Sequence, residues 1–413
     1  GVVVKWQGQA LPWNGFGVSQ VTLGESATFI KWEGVDPLTS SLMQTKLSSG
    51  DSVLSIGAEE QFQTDLLSFR DIWSWKKDSD ILPRLEVLGK YHFHSSQAKS
   101  SVVVDIQDAG QIFWRADTKI EVEGDEESNG FSISSLHHPT QVVIAPEIDG
   151  YFQVMAQNRS GAIKARDVLI QLDASKGGIT SHGEKQSALS WVGGDIADQV
   201  RLTTGSYPID LSCGGDQPAW LLENIKQNEN TLIVEGNLIV KSQGSAPALE
   251  IVRGSTSTDT LVLHAQAELA SQGGYAIKTD LPNNYFIAQQ PSSIYTKGDG
   301  ATGFITLPEK ELNYPVSSWF LPEGRWEKTD KNIIDYQEAE KEKPGWVLQA
   351  AGKGTTALQL SHKKSGNQII TQVRSSILEA DQGWLWDESE EIEHSMVQGN
   401  IFYARQGPAW ILR

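Results

Sequence analysis

Cysteine and long apolar runs are nearly absent from the chain. The single cysteine among 413 residues, Cys213, excludes an internal disulfide framework and an all-cysteine metal site. We expect Cys213 to be a small apolar side chain in a packed turn. No apolar run reaches the roughly 18 residues that a membrane-spanning helix needs. The first residues, Gly-Val-Val-Val-Lys-Trp, have no basic n-region and are typical of a strand, as after removal of a leader.

Basic residues are scarce relative to acidic ones. Lys and Arg number 34 against 52 Asp and Glu, which gives a net charge of −18. Such a chain repels phosphate backbones, which argues against nucleic-acid binding as its main function. The same charge argues against an anionic membrane surface as a partner. Hydrophobic residues make up 39% of the chain, which is enough for a large core and argues against global disorder.

Helical periodicity is missing almost everywhere. The best candidate, Ile333–Lys343, is flanked by Pro344 and would form a charged surface helix or an ordered loop. Elsewhere, short β-branched runs alternate with clusters of Gly, Ser, Asn and Asp, which is the pattern of strands and turns. The chain is therefore predicted to be all-β.

A sequence unit recurs along the chain. Gly236–Glu250 and Gly399–Leu412 share Gly-Asn, a short strand, a polar turn, Pro-Ala and a second apolar run. Pro218–Leu222 (PAWLL) nearly repeats as Pro408–Leu412 (PAWIL). Looser copies are Lys119–Ile133, Val168–Ile179, Ser206–Leu222, Ala267–Ile277, Ser292–Ile305 and Ser375–Leu385.

The spacing of the units predicts the architecture. Pro218 and Pro247 are 29 residues apart, and Gly274 follows Pro247 after 27. A period between about 20 and 50 residues means one supersecondary unit that stacks on its neighbours. The unit holds strands but no helix, and it is shorter than a propeller blade of about 40–45 residues. We therefore predict a right-handed parallel β-helix, a β-solenoid of about a dozen coils with long loop insertions.

The residues within each unit fit this architecture. Apolar positions such as Leu238 and Val240 alternate with polar ones, as expected of strands with one face in a core. Gly and Asn tolerate the left-handed backbone conformations that turn a coil. We expect Asn237 and Asn400 to lie at one such corner.

The whole chain is predicted to form a single β-helix domain, 1–413. Residues 1–100 repeat poorly and are expected to form irregular coils and a cap that shields the open edge. Regular coils follow over 101–413, with a loop insertion at 308–344. A second irregular stretch, Lys76–His94, is expected to be a projecting loop. Because the chain ends inside a repeat, we expect the natural protein to continue beyond Arg413.

These units, from about Val102 to Arg413, resemble the passenger domains of AIDA-type (classical, type V) autotransporter adhesins of Gram-negative bacteria. Cysteine scarcity and acidity also match that family. The resemblance implies secretion through the outer membrane and display on the bacterial cell surface, although the family's leader and translocator barrel are absent from this chain. It implies binding to host glycans, including glycosaminoglycans, or to an extracellular-matrix protein such as fibronectin, or self-association in aggregates and biofilms.

Adhesion of this kind needs no cofactor, and no motif predicts catalysis. GxSxG, HExxH, P-loop and GxGxxG motifs are all absent. His92 and His94 share one strand face, but two imidazoles do not make a zinc site. The acidic run Glu123–Glu127 lacks the spacing of a calcium loop and is interpreted as a hydrated loop. The alternative left open is a secreted or phage β-helix polysaccharide lyase or glycoside hydrolase, which would need convergent carboxylates or cations on one face.

Outward or turn-borne polar residues are the candidate ligand-binding groups. Charge reversal of their cations is expected to weaken ligand binding without changing the melting temperature. The tryptophans Trp191, Trp220, Trp384, Trp386 and Trp410 are expected in the core or at the coil edge, with an outward row of aromatic binding platforms as the alternative. The candidate ligand-binding residues are Asn237, Lys241, Lys297, Asp299, Arg374, Asp381, Asn400 and Arg405.

Overall fold

The structure, a computed structural model, describes much of the chain and shows an all-β architecture without a helix in the part described. The chain divides into two compact units, Gly1–Ile225 and Lys226–Arg413, and each is treated by itself. None of the described residues form a helix long and apolar enough to cross a membrane. The described residues are 2–5, 43–48, 53–64, 67–70, 84–95, 102–194, 199–225, 232–253, 260–280, 283–288, 292–306, 317–322, 325–328, 334–337, 346–360, 368–371, 377–379 and 382–386.

The described residues of the first unit form eighteen strands. They are β1 (Val2–Lys5), β2 (Met43–Ser48), β3 (Val53–Thr64), β4 (Leu67–Arg70), β5 (Arg84–Ser95), β6 (Val102–Gln107), β7 (Gly110–Trp114), β8 (Asp117–Gly124), β9 (Asn129–Ser134), β10 (Thr140–Ile144), β11 (Tyr151–Asn158), β12 (Gly161–Arg166), β13 (Leu169–Ala174), β14 (Gly178–Gly183), β15 (Leu189–Val192), β16 (Gln199–Thr204), β17 (Ile209–Cys213) and β18 (Trp220–Ile225).

Three parallel ladders build the first unit. The first ladder runs through β5, β7, β10, β13 and β16, and the second through β5, β8, β11, β14 and β17. The third ladder, on a separate sheet, runs through β4, β6, β9, β12, β15 and β18. Each coil contributes one strand to each ladder, which confirms the predicted β-solenoid.

The first unit holds fewer coils than the dozen predicted for the whole chain. Its six described strands of the third ladder mark about six turns. The prediction assigned nearly the whole chain to repeats. The structure instead pairs β1 with β2 and β2 with β3 antiparallel at the start of the chain, and these contacts add no coil.

Large aromatic side chains fill the interior of the first unit. The Trp114 ring lies 5.1 Å from that of Phe131 and 6.4 Å from that of Phe152, both in edge-on contact. Phe131 and Phe152 also meet each other edge-on at 5.4 Å. Because these three residues stand on three different ladders, one aromatic cluster ties together all faces of the coil.

Acidic residues, rather than glycine and asparagine alone, turn the coils of the first unit. Asp108 and Asp167 each follow a strand of the third ladder and have positive φ angles of 49° and 55°. The Asp108 Oδ1 atom accepts hydrogen bonds from the backbone N–H groups of Leu136, His137 and His138, at 2.8, 3.1 and 3.1 Å, in the turn of the next coil. The carboxylate therefore joins two successive corners.

The second unit contains fifteen described strands. They are β19 (Leu232–Ser242), β20 (Leu249–Arg253), β21 (Thr260–Ser271), β22 (Tyr275–Thr279), β23 (Asn283–Ala288), β24 (Ser292–Lys297), β25 (Thr302–Thr306), β26 (Ser317–Pro322), β27 (Arg325–Lys328), β28 (Ile334–Gln337), β29 (Trp346–Ala351), β30 (Thr356–Leu360), β31 (Gln368–Thr371), β32 (Ile377–Glu379) and β33 (Gln382–Trp386).

Parallel ladders also build the second unit. One runs through β19, β21, β24, β29 and β32, and another through β20, β22, β25, β30 and β33. A third joins β21, β23, β26 and β31. Glycine turns these coils as predicted, since Gly274, Gly300 and Gly354 have φ angles of 57°, 74° and 64°.

The structure corrects three details of the sequence interpretation. Residues 308–344 are not simply a loop, because β26 pairs with both β23 and β31 inside the solenoid. The prediction of a charged helix or an ordered loop at Ile333–Lys343 is wrong where that segment is described, since Ile334–Gln337 is a strand paired antiparallel with Arg325–Lys328. The expected loop Lys76–His94 contains most of β5, which pairs with strands of both neighbouring coils. In each segment the β-branched or aromatic residues favour a strand more strongly than the neighbouring charged residues disfavour it.

Candidate functional site

An open groove of about 310 Å³ lies on the outward face of the first ladder of the first unit. Its walls come from three successive coils, because β7, β10 and β13 lie side by side. We call this feature the groove throughout. Its lining residues are Phe113, Arg115, Gln141, Val143, Ala145, Pro146, Glu147, Gln171, Asp173, Ser175 and Lys176.

An aromatic side chain lies in the groove. Phe113 faces outward because its neighbours Ile112 and Trp114 are fully buried on the inward face of β7. The Arg115 guanidinium carbon lies 6.0 Å from the centroid of the Phe113 ring, at the outer limit of a cation–π contact. The register places Val143 directly beside Phe113. The groove therefore offers a partly exposed ring with an apolar neighbour.

Amide side chains border the ring. Gln141 and Gln171 line the groove on the outward faces of β10 and β13. The amide Nε2 of Gln111 donates a hydrogen bond of 3.2 Å to Oε1 of Gln141 from the adjacent coil. Such amides present both donors and acceptors, so they suit ligands rich in hydroxyl groups.

The charges of the groove balance. Arg115 and Lys176 supply two cations, and Glu147 and Asp173 supply two carboxylates. Asp173 Oδ1 already accepts a hydrogen bond of 3.0 Å from the Ser175 N–H group. The groove is therefore polar but formally neutral, and it contains side chains that can orient a polar ligand.

Stacked turns form one wall of the groove. The Asp149 N–H group donates to the Lys176 carbonyl at 3.0 Å, and the Gly178 N–H group donates to the Gly150 carbonyl at 3.0 Å. We call residues 145–150 and 174–178 the corner wall. A Cβ atom on Gly177 would lie 2.6 Å from the Gly150 carbonyl oxygen, so glycine is what allows these two turns to approach.

A second polar cluster lies on the outward face of the second ladder. Glu121 contacts Lys119 Nζ at 2.6 Å, His92 Nε2 at 3.3 Å and His94 Nδ1 at 3.5 Å. The hydrogen bond from Lys119 is the main cause that lowers the pKa of the Glu121 carboxyl, assisted by His92 against the opposing effect of burial. The prediction that His92 and His94 share a face is confirmed. Within the described residues, no group of three or more His, Cys, Asp or Glu side chains is arranged to hold a metal ion.

Two predicted site residues, Asn237 and Lys241, lie on β19. Asn237 is not at a corner, which corrects the prediction, because β19 pairs with β21 without interruption from Ile233 to Ser242. Lys241 faces outward, and its Nζ atom is 3.0 Å from Glu268 Oε1 on the next coil. Lys241 thus neutralises a neighbouring carboxylate rather than presenting an isolated cation.

Lys297 and Asp299 lie close together in the chain, at the end of β24 and in the turn after it. Lys297 is exposed on the same face as Lys241, two strands away. Asp299 Oδ1 accepts a hydrogen bond of 3.0 Å from the Lys353 N–H group and so joins its turn to the next coil. The remaining predicted site residues lie outside the described residues: Arg374, Asp381, Asn400 and Arg405.

The ion pair of Lys241 changes the expected result of reversing its charge. Lys241→Glu would place two carboxylates side by side on adjacent strands, so we expect a loss of about 0.5 kcal/mol of stability. Thermal unfolding should show a small fall in the melting temperature of Lys241→Glu and a smaller fall in that of Lys241→Gln. An unchanged melting temperature in Lys241→Glu would show that the pair contributes nothing.

The structure also places the expected core residues. Trp191 and Trp220 are fully buried, as predicted, and Trp191 Nε1 donates to the Val168 carbonyl at 3.1 Å. Cys213 is fully buried, and burial raises the pKa of its thiol, so it behaves as a small apolar side chain. The side chains of Trp384 and Trp386 and all of Trp410 lie outside what is described.

None of the groove residues was among the predicted ligand-binding residues. The sequence prediction concentrated on the repeats of the second half, whereas the groove depends on side chains brought together across coils of the first unit. The alternation Gln111-Ile112-Phe113-Trp114 is the signal that would have placed an aromatic ring outward.

Comparisons of the chain with protein-family profiles, with curated proteins and with solved structures gave no match.

Proposed function

We propose that this chain is a cell-surface adhesin that binds a glycan in the groove on the flank of its first unit. The observation that carries the proposal is the outward ring of Phe113, bordered by amides and balanced charges. Sugar rings present apolar C–H faces that pack on aromatic rings, and their hydroxyl groups pair with amide and carboxylate side chains. A solenoid flank also suits an extended chain, because its pattern continues from coil to coil.

Display outside a bacterial cell is part of the same proposal. The single buried cysteine, the net charge of −18 and the β-solenoid support the resemblance to autotransporter passenger domains. Binding to a matrix protein such as fibronectin, or self-association between copies, remains a further use proposed for the flank. Sedimentation of the purified protein, alone and with fibronectin, tests both.

Substitution of the groove ring is the direct test of glycan binding. Phe113→Ala removes the packing surface while its inward neighbours Ile112 and Trp114 stay in place. We expect affinity for the best ligand on a glycan array to fall about tenfold, which corresponds to about 1.4 kcal/mol. Isothermal titration calorimetry measures the change, and the melting temperature should fall only modestly because Phe113 lies outside the buried core.

Phe113→Tyr is the matched control, since it keeps the ring and should retain binding. Equal affinity in wild type and Phe113→Ala would reject the groove as the binding site. An array on which no glycan binds the wild type would reject the proposed function.

A second candidate function rests on the two carboxylates of the groove. Glu147 and Asp173 both line it, and paired carboxylates are the residue types that glycoside hydrolysis requires. Incubation with the array ligands in soluble form should leave them intact if the protein is an adhesin. New reducing ends that disappear in Asp173→Asn would instead identify a polysaccharide-degrading enzyme.

A further inference from the structure

We infer that the glycan is uncharged and that it extends from the groove onto an apolar surface at the corner of the coils. This inference rests on the proposed function and deepens it by naming the ligand class and a second contact surface. The surface consists of Ile148, Tyr151 and Tyr207, and we call it the ledge. It adjoins the corner wall, since Ile148 belongs to that wall and Tyr151 follows it directly.

Two of the three ledge side chains are strongly exposed, whereas Tyr207 is partly buried. Ile148 is 73% exposed and Tyr151 is 44% exposed. Among the side chains that the structure describes, the third exposed large apolar residue is Leu136, in a different turn. Two of the three therefore stand beside the groove. Exposed apolar side chains grouped at a site mark a binding surface more often than single scattered ones.

Hydrogen bonds between coils fix the ledge. The Tyr207 hydroxyl donates to Asp149 Oδ1 across two coils. The Tyr151 N–H group donates to Asp117 Oδ1 at 3.2 Å. Asp149 is in turn joined through its N–H group to Lys176, which lines the groove. The ledge and the groove thus belong to one rigidly connected corner, so a single ligand can contact both.

The length of this surface suits a chain of several sugars. Phe113 lies on the first ladder, and Tyr151 begins a strand of the second ladder one coil further on, after the corner wall. A ligand that contacts both must therefore cross the corner from one ladder to the other. A disaccharide seated on the Phe113 ring need not leave the groove, whereas a longer oligosaccharide would extend past the corner wall to Tyr151.

The charges select an uncharged ligand. Carboxylates outnumber cations here: Asp117, Glu147, Asp149 and Asp173 stand against Arg115, Lys176 and Lys90, whose Nζ atom lies 3.9 Å from Asp117 Oδ2. A uronate or sulfate group would meet net repulsion. A cationic ligand gains little either, because Lys90 is paired with Asp117, and Arg115 and Lys176 balance the two carboxylates of the groove. Hydroxyl and acetamido groups, which hydrogen-bond without charge, satisfy both conditions.

The test uses the full chain with oligosaccharides of three charge classes in short and long forms. The probes are neutral glucose or N-acetylglucosamine oligomers, uronate oligomers, and glucosamine oligomers, each as a disaccharide and a hexasaccharide. We expect the neutral hexasaccharide to bind most tightly. Tyr151→Ala should lower the affinity for the neutral hexasaccharide about fivefold and leave the affinity for the neutral disaccharide unchanged. Phe113→Ala should lower both affinities.

Controls separate the two proposals. Leu136→Ser removes the exposed apolar side chain that lies away from the groove and should change nothing. If Phe113→Ala weakens binding while Tyr151→Ala and Ile148→Ser do not, the ledge is wrong and the groove stands. Tighter binding of uronate or glucosamine oligomers would overturn the choice of an uncharged glycan. If no oligosaccharide binds, the proposed function itself fails.

Discussion

Replacing Asp108 by alanine should cost the protein about 3 kcal/mol of unfolding free energy. Three backbone N–H groups of the next coil lose their acceptor together, because all three converge on Oδ1 of this one carboxylate. Alanine would also have to adopt a φ of 49°, which is strained for a residue with a Cβ and no compensating hydrogen bond. Urea unfolding followed by tryptophan fluorescence measures the loss.

Asparagine is the matched control for this substitution. Asn tolerates the left-handed conformation and keeps one oxygen for the three N–H groups. The other carboxylate oxygen, Oδ2, is buried without a hydrogen-bond partner, so its replacement by an amide nitrogen removes no bond. We expect Asp108→Asn to lose only about 1 kcal/mol. Equal losses in the two variants would contradict the assignment of the stability to the acceptor.

The same carboxylate predicts a pH dependence. Burial alone would raise the pKa of Asp108, but the N–H groups of Leu136, His137 and His138, assisted by the His137 charge, outweigh it and hold the pKa below its usual value. The unfolded value is about 3.9, so the contribution is complete above it and is lost as the pH falls through the folded pKa. The difference in stability between wild type and Asp108→Asn should therefore shrink below about pH 4. A constant difference would place the effect elsewhere.

The fold could be predicted from the sequence because the core leaves a strong periodic signal. Leu238 and Val240 are both fully buried, as the alternation predicts, and the spacing of the repeats gave the length of a coil. Each coil buries its apolar face only against its neighbours, so the pattern must recur. The parallel β-solenoid follows from these two periods without any knowledge of individual contacts.

The residues that turn the coils could be predicted only in part. Glycine does turn coils of the second unit, but in the first unit Asp108, Asp149 and Asp167 take positive φ angles. Aspartate is common in solvated loops, so its presence in a turn does not reveal whether it accepts backbone hydrogen bonds from another coil. Conversely, the Gly236-Asn237 pair has turn composition but lies within a long strand, because its partners on β21 continue the ladder.

The groove could not be predicted because its residues are distant in sequence. Phe113, Gln141 and Asp173 meet only after the register between coils is known, and a shift by one residue would turn each side chain to the opposite face. For the same reason, the sequence could not show which of the chosen cations form ion pairs with another coil. Lys241 is isolated in its own strand and paired only across coils, with Glu268.

A single methyl group on Gly177 should destabilise the corner wall and the groove together. Its Cβ would lie 2.6 Å from the Gly150 carbonyl oxygen, 2.7 Å from Pro146 Cβ and 2.8 Å from the Glu147 carbonyl oxygen. Two of these atoms are backbone and cannot turn aside as a flexible side chain would, so the turns must separate. We expect Gly177→Ala to lose about 2 kcal/mol of stability.

The neighbouring glycine provides the control. A Cβ on Gly178 would meet nothing within 4 Å, and neither glycine has a positive φ, so Gly178→Ala should be neutral or slightly stabilising. The Gly150 carbonyl that Gly177→Ala would displace accepts the hydrogen bond from the Gly178 N–H group. Separation of the turns therefore breaks a bond between coils and moves Pro146 and Glu147 in the groove wall. Glycan affinity, measured below the melting temperature, should fall in Gly177→Ala and stay constant in Gly178→Ala. Identical affinities of the two variants would show that the groove does not depend on how closely these turns stack.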